Sequence, residues 1–191
     1  GQPMNIVHRD VSAVNVMSTF DGAIKLLDFG IARFNLRRLQ TAPGIIKGKL
    51  DYLSPEQCEG GVIDAVTDVY SMGVLLFEMV TGTRPFLESD VARLFKLVLR
   101  GDRPRVRDIR PDVPPKLERI IDKAMATKRN HRFQSARELV EALYTYLAML
   151  ASPPTSTSVA QLLYELAPDK IDDIEQVYGE ERTAVERVPV P

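Results

Sequence analysis

Val7-His8-Arg9-Asp10-Val11-Ser12-Ala13-Val14-Asn15 is followed, thirteen residues after Asn15, by Asp28-Phe29-Gly30. An acid, an amide and a second acid, joined by a short apolar stretch, are what phosphoryl transfer asks of one end of an active site. One group must orient and deprotonate a hydroxyl, and two oxygen donors must hold magnesium. Magnesium is a small hard ion that takes oxygen ligands in near-octahedral geometry and keeps several waters. Asn15 and Asp28 would supply two of those oxygens, leaving Asp10 for the hydroxyl.

The intervening residues say how two such distant groups can meet. Val16-Met17-Ser18 and Ala23-Ile24-Lys25-Leu26-Leu27 flank Thr19-Phe20-Asp21-Gly22, and Asp-Gly between apolar runs is a hairpin signal. The hairpin would bring Asn15 and Asp28 to the same end of two paired strands.

His-Arg-Asp, an Asn five places after the Asp, and Asp-Phe-Gly resemble the catalytic and metal loops of the eukaryotic-type serine/threonine protein kinases, a group also present in bacteria. Ser54-Pro55-Glu56 stands where that family carries Ala-Pro-Glu. The resemblance covers about residues 5–148, and no Gly-x-Gly-x-x-Gly or Val-Ala-x-Lys occurs in the chain. It implies a mainly α fold, the larger carboxy-terminal kinase lobe, with a small β-hairpin at the catalytic and metal loops and the amino-terminal β lobe absent.

The resemblance also implies roles. Asp10 is the catalytic base, or the acceptor that orients the substrate hydroxyl. Asn15 and Asp28 hold Mg²⁺, and Met17 belongs to the apolar floor under the adenine of ATP; core filler is the equal alternative for Met17. His8 and Phe29 are apolar packing pieces that report whether the site is assembled, and Gly30 completes the metal motif. Arg9, next to the base, marks family members switched on when a phosphate on the activation segment pairs with it. Thr41 is the only hydroxyl between Gly30 and Lys49 and so the candidate phosphosite, although the family's usual position is occupied here by Ile45.

Composition sets wide bounds. The chain has 191 residues, 45% hydrophobic and 27% charged, with a net charge of −1. That is an ordinary globular composition, enough for one domain plus an extension, with no pull toward nucleic acid or a membrane surface. The apolar stretch around Met72 to Phe77 is too short to span a bilayer. The single cysteine, Cys58, excludes an internal disulfide and fits a reducing, cytoplasmic compartment; it reads as a semi-buried thiol. One Cys and two separated His offer no structural zinc site.

Residues 31–53 lack sustained periodicity and carry Arg33, Arg37, Arg38, Lys47 and Lys49, which reads as the activation segment, a loop that positions substrate. A helix over Val66–Val80 follows, stopped by Gly82 and apolar nearly all round through Val69, Met72, Val74, Phe77 and Met79, which places it inside a core. Asp68 near its start is then a buried acid in need of partners; by resemblance it accepts hydrogen bonds from the backbone of the His-Arg-Asp loop. Amphipathic helices are expected over Ser89–Leu99, Pro115–Ala126 and Ser135–Leu150, the last with a Ser135/Glu138 capping box. Arg132 resembles the family's closing Arg, whose partner is the Glu of Pro-Glu, here Glu56, and His131 beside it reads as a surface residue.

From Ala151 the composition shifts. Residues 1–150 read as the kinase lobe, 151–158 (Ser152-Pro153-Pro154-Thr155-Ser156-Thr157-Ser158) as a linker, and 159–191 as a short helix over Val159–Leu166 and an acidic, fraying tail.

One position departs from the family. Serine/threonine kinases usually carry Lys two places after the Asp, where its ammonium helps neutralise the transferred phosphoryl group; this chain has Ser12. Tyrosine kinases place an Arg two residues further on, where this chain has Val14. Where the serine/threonine enzymes carry a hydroxyl in Gly48-Lys49-Leu50-Asp51-Tyr52, the residue is Lys49. The two side chains look exchanged, with Lys49 returning from the opposite side the charge that Ser12 lacks. The expectation is a serine/threonine protein kinase using ATP and Mg²⁺ on a protein substrate, inactive or nearly so without the amino-terminal lobe. The alternative is a pseudokinase or lobe-only binding module.

Overall fold

The computed structural model of the chain describes residues 6–29 and 50–167. Residues 6–16, 26–29 and 50–151 form one compact unit, and residues 17–25 with 152–167 form another.

In the first unit, Ser12 leads into a 3-10 turn, Ala13–Asn15. Strands β1 (Val16–Ser18) and β2 (Ile24–Leu26) pair as a two-stranded sheet, most of which belongs to the second unit. Helix α1 (Pro55–Glu59) carries the Pro-Glu dipeptide. Helix α2 (Ala65–Thr81) is the long core helix, one residue longer at each end than the periodicity suggests. Asp64 caps it by accepting from the Val66 N–H at 2.9 Å, and Thr67 returns the bond to the Asp64 N–H, which satisfies donors a helix start otherwise leaves bare. Gly82 stops it at φ +72°, a left-handed conformation that a side chain would disfavour.

Val69, Tyr70, Val74 and Phe77 of α2 are buried at the centre, but Met79 is 72% exposed, so the helix is not buried on every apolar face. Around it stand α3 (Val91–Arg100), a one-turn α4 (Val106–Ile109), α5 (Pro115–Ala124) and α6 (Ala136–Leu147). The α2–α5 approach is close: a Cβ on Gly73 would lie 2.8 Å from Ala124 Cβ and from Met125 Cγ. Helix α6 covers a second cluster made by Val69, Ile120, Ala124, Phe133 and Leu139. Its cap is half of the expected box. Ser135 accepts from the Glu138 N–H, but the Glu138 carboxylate takes the Gln134 N–H instead.

In the second unit the tip Thr19–Ala23 closes with Thr19 N–H to Ala23 O at 2.8 Å and Gly22 N–H to Thr19 O at 2.9 Å. Gly22 sits at φ +83° against the Ser156 carbonyl, where no side chain would fit. Helix α7 (Ser156–Leu166) starts three residues before the expected Val159, because Thr155 and Ser158 cap it reciprocally and draw the end of the Ser/Thr-rich linker into the helix. No helix among the described residues is long and apolar enough to cross a membrane.

Candidate active site

The loop bearing Asp10 is shaped by one buried acid. Asp68 accepts the His8 N–H on Oδ2 at 2.7 Å and the Arg9 N–H on Oδ1 at 2.8 Å. Burial pushes its carboxyl up, and these two N–H groups pull it back only in part, so it remains raised. Arg9 is held at φ +69°. With Asp28 at φ +55°, it is one of two non-glycine residues in left-handed conformation among the described residues. Each such residue costs on the order of 1–2 kcal/mol; Arg9 precedes the nominated base Asp10, and Asp28 is itself a nominated metal ligand.

His8 is buried, but it is more than an apolar packing piece. The Asp10 N–H donates to its Nδ1 at 3.3 Å, which requires that nitrogen to be unprotonated. Nε2 therefore carries the proton and donates to the Leu27 carbonyl at 3.0 Å. One imidazole thus ties the backbone of Asp10 to the strand that leads into Asp28. Phe29 lays its ring 4.7 Å from that of His8 while remaining 52% exposed, so only one face of it packs.

Asn15 is buried and faces back to Asp10. Its Nδ2 donates to the Asp10 carbonyl at 2.6 Å and to Asp10 Oδ2 at 2.9 Å. An amide whose nitrogen is committed this way turns its oxygen to the other side, and only that oxygen can ligate a cation. The Leu27 N–H donates to the Asn15 carbonyl at 2.8 Å, so Asp28 follows directly on the residue paired with Asn15. Among the described residues no group of three or more His, Cys, Asp or Glu could hold a metal ion. An ion held by Asn15 Oδ1 and Asp28 would complete its shell with water and phosphate oxygens, which is how magnesium is usually bound.

The protein tyrosine and serine/threonine kinase profile matches residues 2–143. This chain belongs to the protein kinase family. It is 41% identical over 148 residues to the tyrosine-protein kinase MasK of Myxococcus xanthus, covering 78% of this chain and 23% of that protein. It is 39% identical over 137 residues to the serine/threonine-protein kinase PknB of Mycolicibacterium smegmatis, covering 70% and 22%. With PknL of Mycobacterium tuberculosis the identity is 40% over 125 residues, covering 65% and 31%. The chain therefore spans about a quarter of the length of the curated relatives it matches.

The kinase scaffold beneath the site is an ion pair. Arg132 meets Glu56 through two parallel bonds of 2.8 Å, and Thr67 Oγ1 adds a third donor to Glu56 at 2.9 Å. Burial pushes the Glu56 carboxyl up, but the Arg132 hydrogen bonds, its own backbone N–H and Thr67 outweigh it and leave it lowered. Next to it, burial and the nearby Glu56 and Glu59 push the Cys58 thiol up to about 12, so it stays protonated and inert. His131 is exposed.

The residues just before α1 are pinned to α2 and to Arg84 beyond it. The Tyr52 carbonyl accepts from Ser71 Oγ at 2.9 Å, the Tyr52 hydroxyl donates to Glu78, and Asp51 pairs with Arg84. Met17 is half exposed. Ser12 is 1% exposed, and its hydroxyl has no hydrogen-bond partner among the described residues. Arg9 Nε is likewise buried without a partner among them. Gly30, Thr41, Lys49 and the basic residues 33, 37, 38 and 47 lie outside the described residues.

Sequence reading missed one residue that the fold brings to the site. Gln57 donates from Nε2 to the Arg9 carbonyl at 3.0 Å. Its local signal was present, since Ser54-Pro55-Glu56-Gln57 is a capping-box pattern, but the bond to Arg9 spans 48 residues and leaves no mark in the sequence.

Proposed function

We propose that this lobe is the catalytic part of a protein kinase that moves the γ-phosphoryl group of ATP to a serine or threonine hydroxyl of a protein. The observation that carries the reading is the Asn15 amide, whose nitrogen is bonded to Asp10 and whose oxygen is thereby left for a cation. One side chain separates the two tasks that the chemistry needs, holding the base on one side and metal on the other.

Asp10 accepts the hydrogen bond of the acceptor hydroxyl and takes its proton as the phosphoryl group arrives. Asn15 fixes the rotamer of Asp10, and His8 and Asp68 fix the backbone beneath it. Mg²⁺ held by Asn15 and Asp28 would offset charge on the nucleotide's phosphates. Arg9 would receive a phosphate on the activation segment, with Thr41 as its source, and Met17 would line the adenine floor. Lys49 supplies the charge absent at Ser12. The grip on ATP comes from an amino-terminal lobe, and the cytoplasm is the compartment that goes with this activity.

The acceptor class rests on Val14, which stands where tyrosine kinases carry Arg, and on the segment Gly48-Lys49-Leu50-Asp51-Tyr52 taken as a whole. The Myxococcus xanthus relative is nonetheless named a tyrosine kinase, so phosphoamino-acid analysis of the product is part of the test. Joined to an amino-terminal kinase lobe and given ATP, Mg²⁺ and a protein acceptor, the wild-type chain should transfer phosphate, and Asp10→Asn should lower the rate about 10²–10⁴-fold. Undiminished transfer by Asp10→Asn would refute the role of Asp10. No transfer by wild type, alongside retained partner binding, would favour the binding-module reading.

A further inference from the structure

Arg9 needs a reason to stay left-handed. A residue with a Cβ leaves that region unless both of its peptide groups are held. The peptide before Arg9 is held by Asp68, which takes its N–H at 2.8 Å. The peptide after it, which links Arg9 to Asp10, is held at both edges. Its carbonyl accepts from Gln57 Nε2 at 3.0 Å, and its N–H donates to His8 Nδ1 at 3.3 Å. The plane of that peptide sets where the Cα of Asp10 points its carboxylate.

Gln57 is buried, 8% exposed, and its amide can sit only one way round. Oε1 accepts the Ser54 N–H at 2.9 Å, and Nε2 faces a carbonyl; the flipped amide would oppose donor to donor and acceptor to acceptor. The cap of α1 needs only Oε1. The bond from Nε2 goes beyond the cap and reaches the loop of the base.

We propose that Gln57 is a positioning residue for phosphoryl transfer: its amide locks the Arg9–Asp10 peptide and makes the register of Asp10 depend on the folded, Ser54-capped start of α1. The end of the activation segment is thus wired to the base through one side chain. This rests on Asp10 being the base, as proposed above.

Gln57→Glu separates the two bonds, because a carboxylate still accepts the Ser54 N–H but presents an acceptor to the Arg9 carbonyl. Gln57→Met removes both. The two variants and wild type, each joined to an amino-terminal kinase lobe, are compared for kcat, KM for ATP, thermal midpoint and amide hydrogen exchange. In Gln57→Glu, kcat should fall about tenfold or more while KM for ATP stays within about twofold. Exchange of the Asp10 N–H should quicken about tenfold while that of Val74, inside α2, is unchanged. Gln57→Met should repeat both effects and lower the midpoint further through loss of the cap. Wild-type kcat in Gln57→Glu, or unchanged Asp10 exchange in both variants, would overturn the proposal. Should wild type itself transfer no phosphate, the functional reading falls, and the exchange comparison alone decides the lock.

Discussion

Arg132 and Glu56, 76 residues apart in the chain, meet end to end with two N–H···O bonds of 2.8 Å, and the arginine side chain is wholly withdrawn from solvent. The remaining donors of Arg132 go to backbone: Nε to the Ala126 carbonyl at 2.6 Å, and the terminal nitrogens to Val66 at 3.3 Å and Thr127 at 3.1 Å. Its guanidinium also lies 4.8 Å from the centre of the Tyr70 ring. One side chain therefore joins α1, the start of α2 and the turn after α5.

The partners should differ in the cost of their removal. Arg132→Met strands a buried carboxylate and three carbonyls, and should lower stability by about 3–5 kcal/mol. Glu56→Gln also leaves a buried charge without its partner, but it keeps one acceptor and leaves the three carbonyls paired, and should cost less, about 3 kcal/mol. Urea unfolding of the two variants against wild type measures the difference. Equal losses would mean that the backbone carbonyls contribute nothing to the role of Arg132.

Acid should act on the two buried carboxylates with opposite signs. The Glu56 carboxyl is lowered in the fold, so its contribution is fully present above its ordinary value of 4.5 and is lost as pH falls from there through the folded value. The Asp68 carboxyl is raised, so the folded state binds its proton first, and that group favours folding increasingly as pH falls toward its ordinary 3.8. Thermal midpoints followed from neutral pH down to about pH 3 should show a shallower acid decline in Glu56→Gln than in wild type. In Asp68→Asn the decline should be steeper, because the compensating group has gone.

The parts of this fold that sequence made legible are those in which residue type alone carries the instruction. Asp-Gly set the hairpin, Gly82 the end of α2, and Asn15, five places after Asp10, the amide that bonds to it. Hidden from it were interactions made by ordinary residues at long range. Gln57 is an unremarkable amide until Arg9 turns left-handed beside it, and Thr67 and Arg132 converge on Glu56 only once α2 is in place. Ser156 to Ser158 read as linker because Ser and Thr favour turns; Thr155 made them the first turn of a helix. Met79 shows the limit of periodicity, since a helix with apolar residues all round can still leave one of them 72% exposed.

Helices α2 and α5 approach as closely as Gly73 allows. A methyl group at that position would sit 2.8 Å from Ala124 Cβ and Met125 Cγ, inside any normal contact. Gly73→Ala gains helix propensity of about 1 kcal/mol but forces two packed helices apart, and overpacking costs about 1–3 kcal/mol. The net change should be destabilising. Combining it with Ala124→Gly removes one of the clashing methyls and should recover part of the loss, a coupling that a double-mutant cycle on urea midpoints reads directly. Additive losses would place the strain elsewhere.

The proposed exchange of charge between positions 12 and 49 is open to substitution at both. Ser12 is buried and its hydroxyl is unpartnered among the described residues, so this position can bring no cation to the phosphoryl group. If Lys49 supplies that charge, Lys49→Ala in a chain joined to an amino-terminal lobe should lower kcat about 10²–10³-fold, the usual worth of one well-placed group acting on transition-state charge. Lys49→Arg keeps the charge at altered reach and should retain part of the rate. Adding Ser12→Lys to Lys49→Ala should also recover part, but the burial at position 12 obliges the new side chain to displace its neighbours before its ammonium can emerge. The recovery should therefore be smaller than that of Lys49→Arg and accompanied by a lower thermal midpoint. A Lys49→Ala variant with near-wild-type kcat would end the exchange hypothesis, because no charge would then have been missing at Ser12.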